Sequence, residues 1–145
     1  MKILSEKIMS TEQVESETDY VYCEVDEYGH KKYYNSEGQY HREDGPAIEF
    51  ANGDKYWYLN GKFHREDGPA IEYANGDKVW WLNDTLHRKY GPAEEYANGD
   101  KVWYLNGKLH REDGPAIECA NGNKYWSLNG KEVTEETVKN LGKMK

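Results

Sequence analysis

Residues 41–63 read HREDGPAIEFANGDKYWYLNGKF, and the fold follows from that stretch. It returns almost unchanged at 64–86 and 110–132, and in drifted form at 87–109. His41, His64, His87 and His110 are spaced 23 residues apart. A fixed period in the twenties marks a linear array, in which each unit buries its apolar side only against its neighbours. Within the unit, Pro46–Ala51 and Asp54–Leu59 are strand-like runs flanking Asn52-Gly53, a two-residue hairpin signal because both positions tolerate positive φ. Such a turn pairs Phe50 with Lys55, Glu49 with Tyr56 and Ile48 with Trp57. Strand alternation then puts Pro46, Ile48, Phe50, Lys55, Trp57 and Leu59 on an apolar face. Ala47, Glu49, Ala51, Asp54, Tyr56 and Tyr58 fall on a polar one. A second Asn-Gly at 60–61, 106–107 and 129–130 turns the chain toward the next unit. Gly45 and Pro46 form a corner at the strand start, since proline cannot donate to a ladder.

Working outward, the units are 41–63, 64–86, 87–109 and 110–132, with a degenerate first unit over 18–40. In that unit Val25 falls in the column of Ile48 and Tyr34 in that of Trp57. Residues 1–17 are a polar extension, and 133–145 form a C-terminal cap. Thr134 as N-cap with Glu135 and Glu136 in the first turn predicts a short helix over 134–141, stopped by Gly142 and covering the last sheet edge. The expected fold class is all-β: a single twisted antiparallel β-meander of about ten strands built from hairpin repeats, closed by that helix.

The chain has 145 residues and a formal net charge of −8, with 13 Tyr and 5 Trp. That charge argues against nucleic acid as a direct ligand and suits docking on a basic partner. No apolar run is long enough to span a membrane, and the start lacks the apolar core of a signal peptide, so a cytoplasmic setting is expected. In a linear array Cys23 and Cys119 are too far apart to bridge, and both are expected as free thiols.

The chain resembles the MORN repeat in its hairpin period, its "ANGD" turn and its "NGKLH" link. It departs from that family in its shorter hairpin and in carrying "HREDGPA" where MORN units carry "HGxG". It is more similar still to the "NGKxHRxDGPA" repeat proteins of tailed phages and some bacteria, down to the ending SLNGKEVTEE at 127–136. The resemblance implies a β-repeat fold, a bacterial cytoplasm and a phage origin, but no reaction.

Four features are candidates for function. The His-Arg-x-Asp corner has the residue types of a metal or acid–base site. Its repetition every 23 residues, about 10 Å along a sheet, favours a structural corner instead. Trp57, Trp80, Trp103 and Trp126 have the chemistry to stack bases or sugars, but their column reads as core. The polar face interleaves Tyr with Glu49, Glu72 and Glu95, a composition suited to protein binding. Around 84–94 the array clusters its departures: Asp84 for the turn glycine, Lys89-Tyr90 for Glu-Asp, and Glu94 in an isoleucine column.

No phosphate loop, nucleophile elbow or paired CxxC is present, so neither catalysis nor a cofactor or metal is expected. The leading expectation is a non-enzymatic protein-binding repeat protein. In its most concrete form it is a phage inhibitor of a bacterial defence or nucleic-acid enzyme, docking an acidic, Tyr-rich face on a basic surface. The expected contact residues are Glu49, Tyr58, Glu72, Trp81, Asp84, Lys89, Tyr90, Glu94, Glu95 and Tyr104. One alternative is a nucleotide- or small-molecule-sequestering protein using Arg42, Arg65, Arg88 and Arg111. Another is a structural module that self-associates through its apolar sheet face.

Overall fold

The computed structural model describes residues 22–144, so the 1–17 extension and the start of the 18–40 unit lie outside the described residues. The order is β1 (Tyr22–Val25), β2 (Lys31–Tyr34), β3 (Ile48–Glu49), β4 (Lys55–Tyr56), β5 (Tyr58–Leu59), β6 (Lys62–Phe63), β7 (Ile71–Glu72), β8 (Lys78–Val79) and β9 (Trp81–Leu82). It continues with β10 (Thr85–Leu86), β11 (Glu94–Glu95), β12 (Lys101–Val102), β13 (Tyr104–Leu105), β14 (Lys108–Leu109), β15 (Ile117–Glu118), β16 (Lys124–Leu128), β17 (Lys131–Val133) and α1 (Glu135–Met144).

Eleven of these strands form one antiparallel sheet, in the order β1-β2-β3-β4-β7-β8-β11-β12-β15-β16-β17. This is the expected long meander with a single short C-terminal helix among the described residues. The remaining strands form two-stranded ribbons, β5–β6, β9–β10 and β13–β14, where each unit turns into the next. The strand changes partner at the tryptophan: Trp57 N–H donates to Ala70 of the following unit, while its carbonyl accepts from His64 N–H.

The two Asn-Gly turns differ, and that corrects the expected faces. At Asn60-Gly61 both residues are left-handed (φ 50° and 80°) and Leu59 pairs with Lys62, a two-residue turn. At 51–53 only Gly53 is left-handed (φ 103°), Gly53 N–H donates to Phe50 O, and Phe50 N–H donates to Asp54 O. The loop is therefore the three-residue Ala51-Asn52-Gly53, the type I turn followed by a left-handed residue. Ile48 consequently faces Tyr56, and Glu49 faces Lys55. A one-residue shift exchanges the faces of one strand relative to the other.

One face thus gathers Ile48, Tyr56, Ile71, Val79, Glu94, Val102 and Ile117 in register. The other alternates Glu49, Lys55, Glu72, Lys78, Glu95, Lys101, Glu118 and Lys124, opposite charges directly across each pair. The aromatic rings follow the apolar side. Tyr22, Tyr34, Tyr40, Tyr58, Phe63 and Trp81 form a continuous ladder with successive centroids 4.3–5.5 Å apart. Burial pushes the Tyr56, Tyr58 and Tyr96 hydroxyls up to about 12.

The first unit continues the sheet, with β2 paired to β3. Its columns differ from those expected. Glu24 pairs with Lys32 as Ile48 does with Tyr56, and Arg42 covers Tyr33 as Arg65 covers Trp57. Glu24 and Tyr33 therefore fill the Ile48 and Trp57 columns, because the 35–39 turn is one residue longer than its counterparts. Glu24 is buried and accepts the Tyr34 hydroxyl at 2.6 Å.

Between units, Asp54, Asp77 and Asp100 each accept the backbone N–H of Ala74, Ala97 and Ala120 at 2.7–2.8 Å. His30 does the same for Ala51 at 3.0 Å. The last unit has Asn123 at this column, where no further unit follows. At the C-terminus Thr134 Oγ1 accepts Thr137 N–H, the expected N-cap. The helix, however, runs through Gly142 rather than stopping there. It contacts β16, one strand in from the edge strand β17, with Val138 buried. Neither Cys23 nor Cys119 forms a disulfide.

Candidate functional site

The glycine of each corner sets its geometry. A Cβ on Gly45, Gly68 or Gly114 would stand 2.7–3.0 Å from the Cζ of Arg42, Arg65 or Arg111, so a side chain there would push the guanidinium from its place over the turn. Held there, Arg65 stacks 3.9 Å over Trp57, Arg88 3.9 Å over Trp80 and Arg111 3.8 Å over Trp103. Its Nη1 donates to the proline carbonyl and to the ladder glutamate: Pro69 and Glu72 for Arg65, Pro115 and Glu118 for Arg111. Its Nε donates to the corner aspartate, Asp44, Asp67 or Asp113, at 2.9–3.1 Å.

The histidines are locked as well. Nδ1 of His41, His64, His87 and His110 accepts the backbone N–H of Asn60, Asn83, Asn106 and Asn129 at 2.8–3.1 Å. A neutral ring then carries its proton on Nε2, which donates from His64 to Glu66 and from His110 to Glu112. Among the described residues no group of three or more His, Cys, Asp or Glu is placed to hold a metal ion.

Between successive corners lie clefts open to solvent. The first, of about 680 Å³, has Trp57 and Leu59 as floor and Glu43, Asp44, Glu66 and Asp67 among its walls. The second, about 630 Å³, is floored by Trp80 and Leu82 and bounded by Glu66, Asp67, Arg88, Lys89 and Tyr90. The third, about 560 Å³, lies over Trp103 and Leu105 between Lys89-Tyr90 and Glu112-Asp113. In the fourth, α1 supplies Val138 and Lys139 over Trp126, beside Glu112 and Asp113. Two strands per unit set the clefts about 10 Å apart.

The structure scatters the expected contact residues. Glu49, Glu72 and Glu95 lie in the charged ladder, held by Arg42, Arg65 and Arg88 at 2.7–3.1 Å. Tyr58 and Trp81 belong to the aromatic side, where Tyr58 stacks on Phe63 and Phe63 on Trp81. Tyr104 pairs with Leu109 in the β13–β14 ribbon. The acidic, Tyr-rich single face does not exist: the three-residue loop puts the ladder glutamates and the tyrosines on opposite sides. Asp84 takes φ 62° in its turn, and its carboxylate accepts Phe63 N–H at 2.7 Å, which gives it a structural task. Glu94 faces Val79 and Val102, and burial raises its pKa above the ordinary carboxylate range against a lowering hydrogen bond from Tyr96. Lys89 and Tyr90 stand exposed at a corner tip.

The four arginines of the small-molecule alternative sit one per corner, each over its own ring, and do not converge. Trp57, Trp80 and Trp103 floor the clefts beneath their arginines rather than lying in the isoleucine column, so the apolar face of the self-association alternative lacks them. Sequence reasoning missed the corner carboxylates. Asp67 and Asp113 are 88% and 87% exposed even while bonded to arginine. Their signal was the repeated Glu-Asp itself, which the structural role of the neighbouring His and Arg obscured. No helix among the described residues is long and apolar enough to cross a membrane. Comparison with protein-family models and with characterised proteins finds none that matches this chain.

Proposed function

We propose that this chain is a non-catalytic protein-binding array that docks its row of corners on a basic protein surface. The supporting observation is the row of exposed carboxylates at Glu43-Asp44, Glu66-Asp67 and Glu112-Asp113, flanking half-buried tryptophan floors about 10 Å apart. Tryptophan beside charge is the composition of a binding hot spot. The groups that would serve catalysis are engaged in the scaffold: each corner histidine holds a turn amide, and each corner arginine holds a ladder glutamate.

The test is a pulldown from bacterial lysate with wild type and a Glu43→Gln/Glu66→Gln/Glu112→Gln variant, which leaves the Asp–Arg pairs intact. Wild type should retain a partner at about 50 mM salt and release it at about 500 mM, and the variant should retain several-fold less. Retention that neither salt nor the variant changes would overturn the reading.

A further inference from the structure

The third corner breaks the pattern of the other three. Arg42, Arg65 and Arg111 each direct Nε at an aspartate of their own corner, but in the third corner Tyr90 stands at the aspartate's position in the sequence. Among the described residues the Arg88 guanidinium keeps only the bonds from Nη1, to Pro92 O at 3.0 Å and Glu95 at 2.7 Å. Its ring contact is retained, 3.9 Å over Trp80, so the guanidinium sits as its counterparts do while the carboxylate that they carry is missing. Lys89 replaces the other corner acid and adds a second cation, its Nζ 5.3 Å from the Tyr90 ring centroid. Tyr90 is 79% exposed. The corner backbone has also moved: Gly91 takes φ 121°, whereas Gly45, Gly68 and Gly114 lie outside the left-handed region.

We infer that the 88–91 corner is a carboxylate seat for a partner protein: an aspartate or glutamate side chain of the partner bonds Arg88 Nε where Asp44, Asp67 and Asp113 bond theirs. Lys89 supplies the second charge, and Tyr90 packs against the stem of the incoming side chain. The three sister corners are the template for the ligand chemistry, since each shows a carboxylate on this same nitrogen of an arginine stacked on an aromatic ring. The inference rests on the protein-binding reading and deepens it. Three corners each carry one arginine against two acids, while the third carries two cations and no acid. The row therefore favours a partner segment with charges in the order basic, basic, acidic, basic, about 10 Å apart. An extended polyproline-type segment meets that spacing with every third residue, since three residues advance about 9.3 Å.

The probe is the peptide Lys-Pro-Pro-Lys-Pro-Pro-Glu-Pro-Pro-Lys, compared with the same peptide carrying Gln for Glu. On bulk charge alone the Gln peptide, being more cationic, binds an acidic protein better. The seat predicts the reverse, with the Glu peptide about tenfold tighter on wild type at low salt. The Arg88 Nε–Hε resonance should move toward those of Arg65 and Arg111 on adding the Glu peptide only. Tyr90→Asp, an exposed substitution, fills the seat from within and should abolish the preference. Equal or tighter binding of the Gln peptide, an unchanged preference in Tyr90→Asp, or no binding of either peptide overturns the seat. Tighter binding of the Gln peptide would do so while leaving the acidic-array reading intact, which the glutamine variants judge separately.

Discussion

At the scale of single residues, the repeat is held by groups that each do two things. Arg65 covers an indole and ties a proline carbonyl, a corner aspartate and a ladder glutamate. This depends on Gly68, whose hydrogen occupies space where a Cβ would stand 2.9 Å from the Arg65 Cζ. Gly68→Ala should displace the guanidinium and lower stability by roughly 1–2 kcal/mol, the scale of one lost stacked and charge-assisted contact set. Urea denaturation measures it, with Gly142→Ala as control, since nothing lies within 4 Å of a Cβ there. Equal effects of the two would show that the close approach does not matter.

At the scale of the element, the two-residue rungs of the sheet take their sides from loop length. Glu94 shows the consequence. It occupies the column of Ile71 and Ile117 in β11, between Val79 and Val102. Burial raises its pKa, so the folded state keeps that proton to higher pH than the unfolded chain. The stability linked to this group is therefore full below the ordinary carboxylate range and is lost as pH rises through the raised value. Glu94→Ile should raise stability by roughly 1 kcal/mol at about pH 7 and by less at about pH 3, where the carboxylate is largely protonated in both states. Thermal melts at the two pH values test this, and an equal gain at both would remove the protonation argument.

At the scale of the whole molecule, each unit contacts its neighbours through the same few bonds: the Asp54–Ala74 type of loop link, the Trp57–Ala70 type of strand link and the Arg65–Trp81 backbone bond. Nearest-neighbour stability implies that a unit is removable as a whole. Deleting residues 64–86 should give a shorter array that still unfolds cooperatively, at lower stability. Deleting one residue fewer should misalign every later column and abolish the cooperative transition seen by circular dichroism. If both deletions fold alike, register between units is not what holds the array.

The period, the strand content, the hairpin turns, the Thr134 cap and the corner role of His-Arg-x-Asp were legible in the chain, because they rest on local backbone preference and on repetition. The side of the sheet each residue occupies was not. Ala-Asn-Gly and Leu-Asn-Gly both contain the same dipeptide, yet one closes as three residues and the other as two. The three-residue loop goes with bonds to the neighbouring unit, where Asp54 accepts Ala74 N–H and the tryptophan strand changes partners. That difference separates glutamate from tyrosine and leaves the carboxylates at the corners. It also leaves one arginine without the aspartate its counterparts have. Contacts between units are long-range in sequence, so only the assembled sheet could decide them.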